Sequence, residues 1–340
     1  MQQRRRRLSV DKQSIVKVRK KPQYQDPKQA KALLQGQEVT DKYWDTLVTD
    51  SCQIIDEDTG QLIGVFQKRA IPKEARDLAH HVYHDIHTRY NRPSISRNTA
   101  AGKLSADKFN EMMPRKDGLK VVDFEYVNDF QGRPILSNGK RIVEVHSNPV
   151  YSFRAGYAEH KRSNTAGPAG FTKDYWDEWQ QSIPFFQAVD HQFKVLLPEV
   201  HKLHAERVKG HPWTVIPGTG LSSVAINIDY ASHGHVDRGD FKDGWSTLAV
   251  IETKEYKGGY YVFLEYGLAV DIRDCDLLLS QSHKYFHGNT GIIKQNEGAQ
   301  RLSIISYLSD RLVDFDENGQ LAHRRTGANL YQGRNRRHSK

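Results

Sequence analysis

From about residue 222 the apolar positions recur every second residue, and this change of period constrains the fold more than any other feature of the chain. In SSVAINIDY (222–230), Val224, Ile226 and Ile228 alternate with smaller or polar neighbours. Successive side chains of an extended strand point to opposite faces, so such a run gives the two faces of a sheet different chemistry. STLAVIET, GYYVFLEYGLAVDI, DLLLS and RLSIISYL follow as further short strands, divided by turn signals such as Lys257-Gly258-Gly259. Short strands with few helices between them predict a sandwich or barrel, a jelly roll, with its β core over about 214–312.

Upstream the period is helical. Pro72 suits a first-turn position, Ala75, Leu78, Ala79, Val82 and Ile86 recur at spacings of three and four, and Asn91-Arg92-Pro93 ends the run. After Thr172, Tyr175, Trp176, Trp179 and Ile183 form one apolar stripe. Phe186, Val189, Phe193, Leu196, Val200 and Leu203 form another, and Pro184 and Pro198 predict helix starts or kinks. These aromatic residues read as core. Asp58-Thr59-Gly60 reads as a turn between two short apolar runs. The expected organisation is α+β: a flexible basic arm over 1–45, one domain over 46–315 whose helical part covers about 70–210, and a basic tail over 316–340.

Two cysteines, Cys52 and Cys275, are too few for a disulfide framework or a cysteine-based zinc site. No apolar run approaches the roughly 18 residues that span a bilayer, and MQQRRRRLSV has no signal-peptide core. These features fit a soluble intracellular protein without a membrane partner, nuclear in a eukaryotic host; oligomeric state is left open. The net charge of +9 is concentrated in Arg4–Arg7, Lys17–Lys21 and Arg324, Arg325, Arg334, Arg336, Arg337 and Lys340. Such clusters neutralise phosphates or serve as import signals, or they are solvated tails; they favour DNA as a partner through the basic surface and termini.

His235-Val236-Asp237 lies just beyond the first strand of the alternating region. Donors at i and i+2 of an extended segment share a side, so one imidazole nitrogen and one carboxylate oxygen can reach a single ion. A third ligand is sought on a distant strand, and QSHKYFHGNT offers His283 and His287. His287 is preferred because Gly288-Asn289 resembles a tight strand exit. Arg301 then opens RLSIISYL, where an always-charged fork inside a barrel could pair bidentately with the distal carboxylate of 2-oxoglutarate. Singly, each histidine reads as packed or exposed and Arg301 as a surface charge. In this order on strands, two histidines and a carboxylate leave open positions on iron, as in non-haem oxygenases. A zinc hydrolase could use the same ligands but would leave Arg301 idle.

NIDYASHGHVDRGDFKDGW, YKGGYYVFLEYGLAVDIRDCDLLLSQSHKYFHGNT and QRLSIISYL together resemble the TET/JBP family of nucleic-acid-base oxygenases, especially its fungal, algal and viral members. RNTAAGK (97–103) and FRAGYAEHKRSNTAGPAGFTKDY (153–175) extend the likeness to about 52–312. The resemblance implies a double-stranded β-helix, Fe(II), 2-oxoglutarate and O₂, with His235, Asp237 and His287 as ligands, Arg301 on the cosubstrate, and no catalytic residue beyond the metal centre. It implies hydroxylation of the methyl group of 5-methylcytosine or thymine in DNA, with succinate and CO₂ as coproducts, on a base flipped out of the duplex. Several relatives carry Asn three residues after the metal carboxylate, where it touches the base. This chain has Asp240, which can accept from the cytosine amino group or simply cap a turn. Asn227, on the preceding strand, is read as facing the same pocket. The alternatives are an oxygenase acting on a protein, free nucleoside or small molecule, and a binding module that no longer catalyses.

Overall fold

The computed structural model describes residues 14–90, 152–160 and 163–320, with Ala100 and the strand fragments 6–8, 94–95, 126–128, 134–136 and 149–150. The arginine clusters at both chain ends and most of 97–103 lie outside the described residues or have undescribed side chains. Along the chain come β1 (Ser14–Val18), α1 (Pro27–Leu34), β2 (Thr46–Val48), β3 (Cys52–Asp56), β4 (Leu62–Gln67) and α2 (Lys73–Tyr83). Then follow β5 (Ser152–His160), β6 (Thr165–Pro168), α3 (Trp176–Leu196), α4 (Pro198–Val208), β7 (Ser223–Ile228) and β8 (Ser246–Glu252). The last strands are β9 (Tyr256–Gly258), β10 (Tyr261–Phe263), β11 (Leu268–Val270), β12 (Leu277–Ser280), β13 (His287–Asn289), β14 (Ile292–Lys294) and β15 (Arg301–Tyr307).

Nine strands form one sheet in the order β6-β5-β7-β15-β8-β12-β4-β3-β1. The period-two pattern sorts its faces. Ile226, Ile228, Ala249, Ile251, Leu277, Leu279, Leu302 and Ile304 point to one side, where they pack with Trp179, Phe186, Val189 and Phe193 of α3 and Ala79 and Val82 of α2. Leu248, Val250 and Leu278 point to the other side and meet Tyr261, Phe263, Leu268 and Val270 of a five-stranded sheet. That smaller sheet runs from the fragment Arg6–Leu8 through β2, β11 and β10 to β13. Its outer face is covered by Leu34 of α1 together with Val39 and Trp44. Interspersed among the apolar residues of the large sheet's inward face are the polar ones: Asn227, Ser246, Glu252, Arg301 and Ser303.

The α+β character stands, but the expected jelly roll, or double-stranded β-helix, is corrected. Among the described residues no sheet closes, and no strand is shared between the two large sheets. The reason lies in the edges. The free side of β12 pairs with β4, Leu277 opposite Gln67, so the large sheet grows outward through β3 and β1. Alternation reports which face of a strand is buried, not which edge finds a partner.

Residues 14–45, read from sequence as part of an arm, are built into the fold. β1 pairs in parallel with β3, and Lys20 reaches the buried Glu265 carboxylate at 2.7 Å, which also accepts the backbone N–H of Phe286. Asp26 caps α1 by accepting from Gln29 N, with Pro27 at the first helical position. In the helical region, Pro72 is the residue that caps α2, and Pro198 opens α4, whereas Pro184 sits inside α3. Leu78, Trp176 and Leu203 fall at the solvent margins of their stripes. Among the described residues no helix is long and apolar enough to cross a membrane.

His204 of α4 is fully buried and ties the helix layer to the loop leading into β8. Its Nδ1 faces the Gly220 carbonyl at 3.1 Å, and its Nε2 accepts the Trp245 N–H at 3.1 Å. A Cβ at Gly244 would lie 2.3 Å from that ring, so only glycine fits there. Burial pushes the imidazole down to about 4. A base with a depressed folded pKa destabilises as it is forced to charge, so its contribution is intact above about pH 6.5 and is lost as pH falls toward 4. Urea titrations across this window are expected to show wild type losing about 3 kcal/mol more than a His204→Gln variant. Parallel pH profiles would contradict the assignment.

Candidate metal centre

The two segments that carry the ligands run alongside each other between the sheets. His235 N–H donates to the His287 carbonyl and His287 N–H to the His235 carbonyl, both at 2.9 Å. The pairing continues with Asn289 N–H on Ser232 O at 2.9 Å and Asp237 N–H on Ser282 O at 3.0 Å. His287 belongs to β13, the edge of the smaller sheet, so the His235 segment occupies that edge.

These contacts bring His235, Asp237 and His287 into one group. A donor atom from each lies within 4.8 Å of the others, among the described residues. Asp237 places Oδ1 3.5 Å from His235 Nε2 and Oδ2 3.5 Å from His287 Nε2. The Nδ1 of each histidine is engaged elsewhere, His235 with the His233 carbonyl at 2.7 Å and His287 with the Tyr285 carbonyl at 3.0 Å. A carbonyl can only accept, so Nδ1 carries a proton and Nε2 is the nitrogen that faces Asp237; in the neutral ring its lone pair is the one a metal would take. The His287 ring also stacks on Tyr261 at 5.2 Å, which limits its rotation.

The electrostatics agree with a cation site. Burial alone would raise Asp237, but hydrogen bonding and the charge of the two imidazoles hold it well below the usual carboxylate range. Burial works against a charged His235, and Asp237 outweighs it, raising the imidazole. His283 stays outside the group: it is half-buried in the loop before β13, and burial and Lys284 push its pKa down.

Arg301 is 1% exposed, and its Nε and Nη2 have no hydrogen-bond partner. Leaving a guanidinium buried without an acceptor costs several kcal/mol. Its surroundings are built to leave room: a Cβ on Gly259, at φ +68°, would come within 3.1 Å of the Arg301 side chain. On neighbouring β7, paired Asn227 to Ser303, the Asn227 carbonyl oxygen is likewise buried without a donor. An orphaned cationic fork and an orphaned acceptor on the large sheet's inward face suit a small polar anion rather than a packed core. Asp240 lies apart from Arg301. Its Oδ2 accepts the hydroxyls of Ser246 and of Ser282, the latter at 3.1 Å, and burial and the Asp237 charge raise its pKa well above the carboxylate range.

Sequence reasoning did not find the wall behind the ligands. Gly36 N–H donates to Gly234 O at 2.7 Å, and Gly234 N–H to Gln37 O at 2.8 Å. A Cβ on Gly234 would lie 2.2 Å from the Leu34 carbonyl, and one on Gly288 would lie 2.7 Å from Ser232 O and from Val39. The signal was present in Gly234-His235 and His287-Gly288: a glycine beside each ligand marks close backbone approach.

A model of the TET/JBP oxygenase domain of the 2OGFeDO superfamily matches residues 155–310. The bifunctional helicase and thymine dioxygenase JBP2 of Leishmania major is 28% identical over 163 residues, 48% of this chain and 14% of that protein. Thymine dioxygenase JBP1 of Leishmania tarentolae is 26% identical over 256 residues, 74% of this chain and 25% of that protein. The chain therefore spans a quarter or less of these relatives' length. A solved complex of NgTET1 with 5mC DNA is 13% identical over 76% of each chain with a TM-score of 0.48, a likeness too loose to bear on fold or function.

Metal titration followed by elemental analysis is expected to separate the histidines. His287→Ala should weaken Fe(II) binding by more than about a hundredfold, and His283→Ala should leave it unchanged. Gly234→Ala should weaken it about tenfold or more without removing a ligand. Equal losses in the two histidine variants would overturn the ligand assignment.

Proposed function

Residues 155–310 being homologous to the oxygenase domain of the TET/JBP family, we propose that the chain is an Fe(II)- and 2-oxoglutarate-dependent dioxygenase that hydroxylates the methyl group of a pyrimidine base in DNA. The observation that carries the reading is the pairing of a two-histidine, one-carboxylate group with a buried guanidinium that has no internal acceptor for Nε and Nη2.

The donor set fits iron: His235, Asp237 and His287 would hold it with two imidazoles and one carboxylate, the set found where positions are kept for other ligands. When bound, iron with 2-oxoglutarate and O₂ supplies oxidising power for an unactivated C–H bond, with succinate and CO₂ as coproducts. The residues of the chain do the rest. The carbonyls of His233 and Tyr285 hold the Nδ1–H of each ring, so that in the neutral imidazoles both Nε2 lone pairs face the shared site. Arg301 would hold a carboxylate of 2-oxoglutarate through its unpartnered Nε and Nη2, with Asn227 on the neighbouring strand beside it. The orphaned guanidinium favours this reading over a zinc hydrolase, which has no use for it.

Asp240 is assigned to the base. Two serine hydroxyls hold its Oδ2, and because burial and Asp237 favour the protonated acid, the other oxygen is left to donate to a ring nitrogen or carbonyl of a flipped pyrimidine. The exposed Arg238 and Lys242 flank it in the same loop and suit phosphate contacts. The domain limits and a nuclear setting remain part of the proposal, with the basic chain ends as auxiliary DNA contacts.

Incubation of the full chain with Fe(II), 2-oxoglutarate and duplexes containing either 5-methylcytosine or thymine, followed by nucleoside mass spectrometry, tests the assignment. A hydroxymethyl base formed with matching succinate, and lost in Asp237→Ala, is the expected outcome. No oxidised base from either duplex would overturn it.

A further inference from the structure

Arg301 is unpaired although two carboxylates stand beside it. Glu252 of β8 is its directly paired neighbour across the strands, on the same inward face. Opposite charges at such a position, with Cβ atoms about 5 Å apart, ordinarily form a cross-strand ion pair. Asp229, just past β7, accepts the Arg301 backbone N–H at 2.8 Å. Neither acid takes the Nε or Nη2 of the guanidinium.

Each acid has a cation other than Arg301 within 4 Å, by charge alone at Glu252, whose Oε1 has no hydrogen-bond partner. Glu252 Oε1 lies 3.6 Å from Arg273 Nη1, and Asp229 Oδ2 lies 2.8 Å from Lys294 Nζ. Arg273 is itself fixed on several sides. Its Nε pairs with Asp271, its two terminal nitrogens donate to the carbonyls of Tyr256 and Gly258 at 3.3 Å, and its guanidinium stacks 4.6 Å from the Tyr256 ring. It cannot swing away from Glu252 without giving up these contacts. Lys294 repeats the arrangement from the opposite side with a half-exposed, weaker partner.

We infer that Arg273 is a positioning residue that holds Glu252 off Arg301, so that the buried guanidinium stays available to the carboxylate of an incoming ligand. Lys294 does the same for Asp229. The inference rests on the assignment of Arg301 to 2-oxoglutarate. Without Arg273, Glu252 has one cation left within reach, and an intramolecular carboxylate competes with the ligand at every encounter. Occupancy would then need more 2-oxoglutarate, with the metal site untouched.

Calorimetric titration of 2-oxoglutarate into the full chain loaded with Mn(II) in place of iron tests this without turnover. Arg273→Gln is expected to weaken binding about tenfold, and adding Glu252→Gln to restore it to within about threefold of wild type. Arg273 also holds the turn over Gly259, and a role confined to that turn would leave the double variant as weak as the single one. That result, or an unchanged Arg273→Gln, would overturn the inference. Should Arg273→Gln fold poorly by its melting temperature, Glu252→Gln alone decides. Unchanged or tighter binding supports competition, and weaker binding contradicts it. An Arg301→Gln control separates the two levels: it should cost about a hundredfold, and no loss there would sink the cosubstrate assignment itself.

Discussion

The reciprocal hydrogen bonds between His235 and His287 are the constraint on which the site depends. They join a loop that leaves the nine-stranded sheet to the edge strand of the five-stranded one, so the ligands are set where the two layers meet. Packing at this join leaves no room for side chains in the backbone beside either histidine, hence Gly234 and Gly288. The segment 34–39 presses on both from behind, outside the 155–310 span that the family shares. The three residues fall inside the span that the oxygenase-domain model matches, whereas the brace behind them comes from the N-terminal part of this chain.

The second organising feature is a charge left open on purpose. A folded protein usually satisfies a buried guanidinium internally, because the cost of not doing so is comparable to a large share of its stability. Here Arg301 has acids for neighbours, and each has another cation within 4 Å. The polar residues of the inward face, Asn227, Arg301 and Ser303, occur at the positions where alternation calls for residues facing the smaller sheet. Stability is given up there and recovered on the helix-facing side, where Trp179, Phe186 and Phe193 are fully buried.

Much of this was legible in the sequence. Alternation located the strands, and the i, i+2 spacing of His235 and Asp237 with a histidine downstream pointed to the group that the fold brings together, although Gly288-Asn289, read as a strand exit, lies inside β13. What the sequence hid was pairing at a distance. Nothing in the run LIGVFQ says that it will pair with DLLLS and widen the large sheet, so the closed jelly roll was the wrong inference from correct strands. The N-terminal 45 residues looked like an arm because their apolar residues are few, yet Leu34, Val39 and Trp44 are each buried against the smaller sheet. The Arg273–Glu252 contact joins the loop between β11 and β12 to the end of β8 and has no local signature at all.

The central claim is that His235, Asp237 and His287 bind one ion together. X-ray absorption at the iron edge of the Fe(II)-loaded full chain reads it directly. Outer-shell scattering from two imidazoles, falling to one in His287→Ala, is the result expected from this geometry. A spectrum with no imidazole scattering, or one that the substitution leaves unchanged, would contradict it.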